Sequence, residues 1–509
     1  MSDSFDLLVV GGGINGVGIA RDAAGRGLSV LLCERGDLAG ATSAASSKLI
    51  HGGLRYLEHG EFRLVREALA EREVLLRMAP HLVHPLRLVL PQGPGSRPRW
   101  MVRAGLFLYD HLGGAHTLPG TEALDLRRAL QGAPLRDGVR FGFAYSDCRT
   151  DDARLTIATA RDAALRGAEI ATRTALVAAQ RDAEGWRAEL HHANGGTRHV
   201  AARVLVNAAG PWVVDLLGRA GIAARAHLRL VKGSHIVVPK LYEHDHAYLL
   251  QNDDRRVVFV IPYERDFTLI GTTEMPFDGD PAKAEITAEE IGYLCRAVGR
   301  WFRAAPTPQD VVWTFAGVRP LYEDRASNAS AVTRDYVFDL DTQGAPALSV
   351  FGGKLTTYRR LAEHAMERLA PHLPQAGAPW TANSILPGGD DPLGPQELRR
   401  LYPFLDAMTA VRLAEAYGGE ARQFLGAARS EADLGAAFGA GFSEAELRWL
   451  IGNEWAETAD DVLWRRTKLG LRFSAAEQKT LADYFGQRDE LLRSPGARGK
   501  IAAVLRASQ

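Results

Sequence analysis

Three glycines near the start of the chain, Gly11, Gly13 and Gly16, form the pattern G-x-G-x-x-G. This pattern allows a tight turn and a close approach of backbone to a pyrophosphate, which the free N–H groups of a helix N-terminus then bind. Glu34 follows at about the 20-residue spacing at which an acidic side chain accepts hydrogen bonds from ribose hydroxyls. The chemistry that these residues predict is dinucleotide binding.

The elements needed to position these residues surround them in the sequence. Leu7–Val10 and Leu28–Cys33 are short apolar runs typical of strands buried on both faces, and Val17–Ala24 between them has helical composition. The glycines therefore lie in a strand–turn–helix–strand context, which favours dinucleotide binding over an ordinary turn.

The polar segment 35–56 carries Lys48, His51 and Arg55 and is predicted to lie along the bound cofactor, the alternative being a surface loop. Far downstream, Gly352 and Gly353 separate an apolar strand from a helix start. A helix N-terminus at that place would stabilise negative charge on a reduced flavin. Because a nicotinamide enzyme does not need this second turn, the sequence favours FAD over NAD.

Composition excludes some classes of function. The chain has 509 residues with 61 Lys+Arg and 61 Asp+Glu, and this zero net charge argues against a nucleic-acid binder. Three widely spaced cysteines indicate neither a disulfide framework nor a metal site, which fits a cytoplasmic protein. The N-terminal segment is not typical of a signal peptide, and no apolar run has the length of a membrane span. Any membrane contact is expected to be peripheral.

The rest of the chain shows three further kinds of segment. Several β-rich runs between 228 and 339 predict a mostly antiparallel sheet that binds the substrate. After a linker at 387–392 the chain is predicted to be helical, with the charged segment 460–468 as a solvated helix face. Segment 97–112 combines arginines with Trp100 and aliphatic residues, which fits either a membrane–water interface or a core helix with a basic end.

Longer motifs are more specific than the glycine pattern. They resemble the FAD-dependent, aerobic glycerol-3-phosphate dehydrogenase family, and the resemblance rests mainly on TSAASSKLIHGGLRYLEHGEFRLV at 42–65, VNAAGPW at 206–212, VKGSHIVV at 231–238, GVRPL at 317–321, TRDY at 333–336 and FGGKLTTYR at 351–359. It implies an α/β fold with a glutathione-reductase-like FAD-binding Rossmann domain, an antiparallel-β substrate domain and a C-terminal all-helical domain. The expected boundaries are 1–75, 145–225 and 345–385 for the FAD-binding domain, 76–144 and 226–344 for the substrate-binding domain, and 386–509 for the helical domain.

The resemblance also implies a function. The protein would be a homodimer on the inner face of the cytoplasmic membrane that oxidises sn-glycerol 3-phosphate to dihydroxyacetone phosphate. Electrons would pass from noncovalently bound FAD to ubiquinone or another membrane quinone. The family's FAD contacts fall on Gly11, Gly13, Ile14, Asn15, Gly16, Glu34, Thr42, Ser43, Ser47, Lys48, Leu49, Gly210, Lys354, Leu355 and Thr356. Its substrate contacts fall on Arg55, Tyr56, Thr272, Arg319 and Arg334.

Given this substrate, the residue types suggest roles. Guanidinium forks fit phosphate oxygens, and Arg55, Arg319 and Arg334 would supply them. Arg319 has apolar neighbours in sequence, where an unpaired charge would be costly, and this favours its contact with an anion.

Oxidation of the alcohol also needs a base for the hydroxyl proton. His51 or His235 is the expected base because histidine titrates near neutrality. Arg319 is expected to polarise the C2 oxygen, and Lys354 to stabilise the reduced flavin. Three alternatives stay open: a glycerol-3-phosphate oxidase that uses O₂, a flavin amine or amino-acid oxidase, and a noncatalytic flavin-binding module.

Overall fold

The structure is a computed structural model that describes residues 3–93, 96–114, 116–224, 227–254, 256–323 and 335–493. The chain divides into two compact units, Met1–Asp390 and Asp391–Gln509. None of the helices in the described ranges combines the length and the apolar character that crossing a membrane requires.

Strands and helices are numbered here in chain order. The strands are β1 Asp3–Val10, β2 Val30–Cys33, β3 Leu49–Ile50, β4 Val83–Gln92, β5 Glu122–Asp125, β6 Phe141–Thr150, β7 Glu169–Ala171, β8 Thr174–Arg181, β9 Trp186–His192, β10 Thr197–Asn207, β11 His227–Pro239, β12 Ala247–Gln251, β13 Val257–Tyr263, β14 Phe267–Gly271, β15 Met275–Pro276, β16 Trp313–Glu323, β17 Val337–Asp341, β18 Ala347–Phe351, β19 Ala437–Gly439 and β20 Phe442–Ser443. The α-helices are α1 Ile14–Gly25, α2 Phe62–Met78, α3 Arg99–Leu112, α4 Asp152–Leu165, α5 Val213–Arg219, α6 Ala288–Gly299, α7 Tyr358–Leu369, α8 Pro395–Leu401, α9 Ala407–Tyr417, α10 Ala421–Leu425, α11 Glu444–Asn453 and α12 Ala475–Arg493.

The first sheet has a parallel centre, with strand order β17-β18-β10-β1-β2-β7. Leu7 of β1 pairs with Val204 of β10 on one side and with Val30 of β2 on the other. All three side chains are buried, as expected for strands covered on both faces. Helix α1 packs against α4 and α7, and β8 and β9 extend the sheet from β10 in antiparallel fashion. The sequence prediction of an α/β fold around the glycine turn is confirmed.

The second sheet follows the order β15-β11-β14-β13-β12-β4-β6-β3, with β16 on β11 and β5 on β6. Its pairs are antiparallel except for β12 with β4, which agrees with the predicted, mostly antiparallel sheet. The last β-rich run, however, forms β17 of the first sheet. Leu340 pairs there with Leu348, because only a short connection separates β17 from β18 and favours a hairpin.

The predicted domain boundaries do not coincide with the division of the strands between the two sheets. The boundary between 144 and 145 falls inside β6, and β3 pairs with β6 in the second sheet. The loop between β2 and β3 thus leads the chain from the first sheet into the second. The site described below therefore draws residues from both sheets of the first unit.

The second unit is helical, with helices α8–α12 around an apolar core and the short β19–β20 pair beside them. The expectation that 460–468 is a solvated face is wrong, because Asp461, Arg466 and Lys468 are buried. The Asp461 carboxylate accepts the backbone N–H groups of Glu457 at 2.9 Å and Thr458 at 3.0 Å. These charges therefore organise the local backbone instead of facing solvent.

Candidate active site

The first glycine turn joins β1 to α1 at the carboxyl end of the parallel strands. Gly11 has φ +118°, and a Cβ there would lie 2.4 Å from the carbonyl oxygen of Ala208, just after β10. A Cβ at Gly16 would lie 1.9 Å from the carbonyl oxygen of Gly11. Glycine is therefore required at both positions, and α1 begins at the strand ends, where phosphate groups bind in such folds.

Glu34 follows β2 and lies beside the same turn. Its carboxylate accepts hydrogen bonds from the backbone N–H of Gly12 at 2.6 Å and of Gly36 at 2.8 Å. Burial raises the pKa of Glu34, while these two donors act in the opposite direction. The carboxylate thus occupies the place expected of a ribose-binding acid, and it also supports the turn itself.

The second glycine turn follows β18 and meets the first. Gly352 and Gly353 have φ +75° and +100°, and Lys354 then leads into the 3₁₀ helix Leu355–Thr357 and α7. Asn15 of α1 donates from Nδ2 to the carbonyl oxygen of Gly352 at 3.0 Å. The Asn15 amide oxygen is buried, and no donor among the described residues reaches it. The meeting point of the two turns thus keeps a buried acceptor for a donor on a bound group.

The polar loop at 42–50 connects the first turn to the antiparallel sheet. Ser43 Oγ accepts the backbone N–H of Ile14, the first residue of α1, at 2.9 Å. Ser47 Oγ lies 2.9 Å from Nε2 of His235 in β11. The loop is therefore held both at the N-terminus of α1 and at the strand that carries one of the candidate bases.

Asp152, which the sequence analysis missed, fixes this loop. The buried carboxylate at the start of α4 accepts the backbone N–H and the hydroxyl of Ser46 at 3.0 and 2.7 Å. It also forms a 2.6 Å ion pair with Nζ of Lys48, which donates to the carbonyl oxygen of Ala44 as well. The charge of Lys48 is therefore neutralised within the protein. The helix cap itself is formed by the preceding residue, Asp151.

Arg319 and Thr272, two of the predicted substrate contacts, converge over Gly233 in β11. A Cβ on Gly233 would lie 2.9 Å from Nη2 of Arg319 and 2.7 Å from Oγ1 of Thr272. The expected apolar setting of Arg319 is wrong, since its side chain is 38% exposed and its Nη1 lies 3.7 Å from Oε1 of Glu274. Successive side chains alternate across a strand, so its buried sequence neighbours belong to the other face of β16.

His51, Lys354 and Tyr56 belong to the same cluster. The ammonium group of Lys354 lies 4.1 Å from the centre of the Tyr56 ring. Burial, followed by the positive charges of Lys354 and Arg319, lowers the pKa of His51 to about 4. The imidazole is therefore neutral at pH 7 and lies in a positive field, which suits a site for an anion that also loses a proton.

His235, the second candidate base, lies in β11. Its ring stacks on Phe315 at 4.8 Å between centroids. Burial and the charges of Arg319 and Lys48 lower the pKa of His235 well below its usual range. Its Nδ1 is buried, and the described residues offer it no hydrogen-bond partner. Both histidines are thus neutral at pH 7, and both lie close enough to Arg319 for its charge to lower their pKa values.

The other predicted residues are placed as follows. Arg55 lies with Tyr56 in the 3₁₀ helix Leu54–His59, whereas Arg334 lies outside the described residues. The remaining predicted cofactor contacts surround the two turns: Gly13 caps α1, Thr42 donates to the Val318 carbonyl oxygen at 2.7 Å, Leu49 lies in β3, Gly210 follows β10 with φ +56°, and Leu355 and Thr356 begin the segment after Lys354.

A buried network that the sequence analysis also missed supports the backbone beside His51. The hydroxyl of Tyr109 in α3 accepts the backbone N–H of Gly52 at 2.7 Å and donates to the Asp147 carboxylate at 2.7 Å. Arg72 of α2 donates to the same carboxylate at 3.1 Å. Burial raises the pKa of Asp147 to about 6. These residues come from separate segments without a shared motif, so no sequence signal identifies them.

Two glycine turns at the ends of a parallel sheet, beside a cationic cluster on an antiparallel sheet, define a class of flavoprotein. The sequence profile of the FAD dependent oxidoreductase family matches residues 6–359. That of the C-terminal domain of alpha-glycerophosphate oxidase matches residues 379–485. The chain belongs to the FAD-dependent oxidoreductase family, and its cofactor is FAD.

Comparison with individual proteins narrows the family. The chain is 50% identical to the aerobic glycerol-3-phosphate dehydrogenase of Escherichia coli, over 95% of this chain and 97% of that protein. It is 51% identical to the D-erythritol 1-phosphate dehydrogenase of Brucella abortus, over 95% of this chain and 98% of that protein. The glycerol-3-phosphate dehydrogenase of Bacillus halodurans, solved with FAD, has a TM-score of 0.76 at 27% identity and covers 99% of this chain and 94% of its own. The predicted family, fold class and FAD cofactor are confirmed.

Proposed function

We propose that this chain oxidises sn-glycerol 3-phosphate to dihydroxyacetone phosphate and passes the electrons to a membrane quinone. The observation that carries the proposal is the clustering of His51, Lys354 and Arg319, which combines a neutral proton acceptor with two cations. A phosphorylated secondary alcohol needs both features. Relatives named glycerol-3-phosphate dehydrogenases, 51% and 50% identical to this chain, support the choice of substrate.

FAD is proposed to bind noncovalently across the two glycine turns. The turns fit this group, because a Cβ at Gly11 or Gly16 would collide with backbone and the Asn15 amide oxygen keeps a buried, unused lone pair. The residues proposed to hold FAD are Gly11, Gly13, Ile14, Asn15, Gly16, Glu34, Thr42, Ser43, Ser47, Lys48, Leu49, Gly210, Lys354, Leu355 and Thr356. For Lys48 the proposed contact is through its backbone, since its ammonium group is paired with Asp152.

The phosphate group is proposed to bind to guanidinium groups. Arg319 is the best placed of them in the described residues, because it is partly exposed and lies beside the Thr272 hydroxyl. Bidentate N–H···O bonds would fix the phosphate and so orient the neighbouring carbon atoms. The full set of proposed substrate contacts is Arg55, Tyr56, Thr272, Arg319 and Arg334.

When bound, FAD supplies the acceptor for the hydride that leaves C2 of the substrate. The proton of the C2 hydroxyl goes to the imidazole of His51, which is neutral at pH 7. His51 is preferred to His235 because His51 is less buried, while Nε2 of His235 is already engaged with Ser47. Arg319 is proposed to polarise the C2 oxygen while it also binds a phosphate oxygen, since the two oxygens are on adjacent carbons of the substrate. The Lys354 charge is proposed to stabilise negative charge on the reduced flavin.

The electron acceptor, the assembly and the location are proposed from the family resemblance. We propose ubiquinone or another membrane quinone as acceptor, and a homodimer that lies peripherally on the inner face of the cytoplasmic membrane. Nucleic acid is not an expected partner, since the formal net charge of the chain is zero.

The test is anaerobic addition of glycerol 3-phosphate to the purified holoenzyme, followed by a soluble quinone. We expect the flavin absorbance to bleach with substrate and to return with quinone in stoichiometric amount. Peroxide formed in air at the rate of substrate consumption would instead indicate an oxidase. Bleaching by amino acids and not by glycerol 3-phosphate would indicate an amine or amino-acid oxidase.

A second candidate substrate is D-erythritol 1-phosphate. The relative with that name is as similar to this chain, at 51% identity, as the glycerol-3-phosphate dehydrogenases are. Both substrates are polyol phosphates, and the cationic cluster fits the phosphate of either one. Measuring kcat/KM for the two compounds decides between them. A higher kcat/KM for D-erythritol 1-phosphate than for glycerol 3-phosphate would replace the first proposal.

A further inference from the structure

The pairing of β11 with its neighbours is irregular beside the proposed substrate contacts. The pairs on either side of the irregularity are His235 with Gly271 of β14 and Lys232 with Met275 of β15. Residues 272–274 therefore lie opposite only 233–234, which is one residue more than regular pairing allows. An extra residue of this kind forms a β-bulge, which redirects side chains and is common next to active sites. This bulge carries Thr272, whose hydroxyl shares the space over Gly233 with the guanidinium of Arg319.

A single buried carboxylate links the two strands at the bulge. Glu290 of α6 accepts, at Oε1, the hydroxyl groups of Thr273 at 2.7 Å and Ser234 at 3.0 Å. Its Oε2 lies 2.9 Å from Nζ of Lys232. The Thr273 hydroxyl in turn accepts the backbone N–H of Ser234 at 3.0 Å. Glu290 thus joins the bulged segment to β11 at the place where the register of pairing changes.

Glu290 acts from the face of β11 that lies opposite the site. Lys232 and Ser234 contact its carboxylate, and because successive side chains alternate across a strand, Gly233 between them faces Arg319. Burial acts to raise the pKa of Glu290, but the hydrogen bonds that its carboxylate accepts lower it below its usual value. An ionised carboxylate therefore holds the strand from behind without reaching the substrate side of it.

We propose that Glu290 is a positioning residue that sets the affinity of the site for its substrate by fixing Thr272. This rests on the proposed function, in which Thr272 and Arg319 bind the substrate. Thr272 precedes Thr273, which Glu290 holds through its hydroxyl, and the Thr272 hydroxyl donates to the carbonyl oxygen of Thr273 at 3.0 Å. With Thr273 held, the Thr272 hydroxyl stays beside the guanidinium.

A role in helix capping does not account for all of these contacts. Glu290 belongs to a capping box at the start of α6, where its Oε2 accepts the backbone N–H of Thr287 at 2.9 Å. Glu477 makes the same kind of contact at the start of α12, with the backbone N–H of Ser474 at 2.7 Å, and it is partly exposed. Capping therefore requires neither the burial of Glu290 nor the three further donors from the two strands.

The test is a double-mutant cycle of Glu290→Gln and Thr272→Ala, with KM for glycerol 3-phosphate and flavin content as readouts. Glutamine keeps the shape of the side chain, but its NH₂ group cannot accept the donors that face Oε2. We expect Glu290→Gln to keep its FAD and to raise KM about tenfold, as the loss of one hydrogen bond would, with kcat nearly unchanged. The double variant should have the KM of Thr272→Ala within about twofold, because Glu290 acts through that hydroxyl.

The matched control is Glu477→Gln, which alters the corresponding cap of α12 and should leave KM unchanged. A merely structural role of Glu290 would lower flavin content or Tm but leave the KM of the folded enzyme as it is. If Glu290→Gln does not fold, Ser234→Ala takes its place in the cycle, since it removes one donor, keeps the ion pair with Lys232, and should raise KM a few-fold.

An unchanged KM in the folded variant, or effects on KM that multiply in the double variant, would overturn the assignment. Failure of the proposed function is seen separately, as a wild-type flavin that glycerol 3-phosphate does not bleach without air. In that case the same cycle is run with the substrate that does bleach it, and D-erythritol 1-phosphate is tried first.

Discussion

The two sides of the site are built in different ways. On the cofactor side, two turns are fixed by backbone conformation, and side chains such as Asn15 and Glu34 bind backbone groups of those turns. On the substrate side, Arg319 and Lys354 come from distant segments and act together on His51 through charge. The first side depends on space that only glycine leaves, whereas the second depends on a local excess of positive charge. Substitutions on the two sides should therefore cause different losses.

The largest effect is expected for Gly11→Ala. A Cβ at this position would lie 2.4 Å from a backbone oxygen, which cannot move away as a side chain could, and the φ of +118° adds strain. We expect the purified variant to be nearly colourless, with less than about a tenth of the wild-type flavin content. Flavin absorbance per protein measures this, and circular dichroism checks that the chain is folded.

The control for this prediction is Gly218→Ala in α5, where a Cβ would meet no atom within 4 Å. It should retain its flavin and gain slightly in stability, because alanine favours a helix more than glycine does. A yellow Gly11→Ala variant would show that the turn tolerates a side chain, and the cofactor side would then not depend on glycine.

On the substrate side, Arg319→Ala should keep FAD but lose turnover. The loss of about two charge-assisted hydrogen bonds to the substrate, each about 2 kcal/mol, corresponds to roughly a 10³-fold fall in kcat/KM for glycerol 3-phosphate. Steady-state kinetics with a quinone measure this, alongside the flavin spectrum. Arg319→Lys should recover only part of the loss, because an ammonium group cannot form the bidentate contact.

Arg187→Ala is the matched control, since this arginine in β9 is 76% exposed and pairs with Asp182. It should behave like the wild type in both measurements. If Arg319→Ala kept near-normal kinetics, Arg319 would not contact the substrate, and the contrast between the two sides would lose its main support.

This contrast also explains what could be predicted from the sequence. The turn at Gly11 and the acid at Glu34 lie within one strand–turn–helix–strand stretch, so their spacing predicts that they lie side by side, and the structure has Glu34 accepting the N–H of Gly12. The setting of Arg319 could not be derived in this way. Its neighbours in sequence are apolar, but strand alternation places them on the opposite face, and the nearby Glu274 comes from another segment.

The burial of some charged side chains could not be predicted from the sequence either. Asp461 and Asp152 are common charged residues in charge-rich stretches, which usually face solvent. Their burial depends on backbone donors and on partners such as Lys48 that only the folded chain brings together. Segment 97–112 was ambiguous for a related reason: its composition fits either a membrane–water interface or a core helix with a basic end, and the packing of Tyr109 shows which face is inward.

A third prediction separates the two candidate bases. Burial is the main cause of the lowered pKa of both histidines, and Arg319 adds to it at both, but the Lys354 charge adds to it at His51 and the Lys48 charge at His235. Because burial and Arg319 remain, Lys354→Met should raise the pKa of His51 from about 4 only part of the way towards its ordinary 6.5. Because the base must be neutral, the acid limb of the kcat/KM profile should move to higher pH by the same shift.

The control here is Lys354→Arg, which keeps the positive charge and should leave the acid limb where it is in the wild type. Both variants are compared by their profiles and not by their absolute rates, since either substitution can change FAD contacts. An acid limb that stays in place in Lys354→Met would argue against His51 and in favour of His235.

The smallest effect concerns the acid on the substrate side. Glu274 lies 3.7 Å from Arg319, and both side chains are more than a third exposed, so their attraction is about 1 kcal/mol in water-like surroundings. Glu274 competes with the substrate for Arg319, so Glu274→Gln should lower KM for glycerol 3-phosphate roughly fivefold while kcat stays unchanged. High salt should diminish this fall in KM.

Glu243→Gln, at a side chain that is 89% exposed, serves as control and should leave KM as it is. A rise in KM in Glu274→Gln would mean that Glu274 orients the guanidinium for binding, in which case the substrate side, like the cofactor side, would depend on internal contacts that fix its geometry.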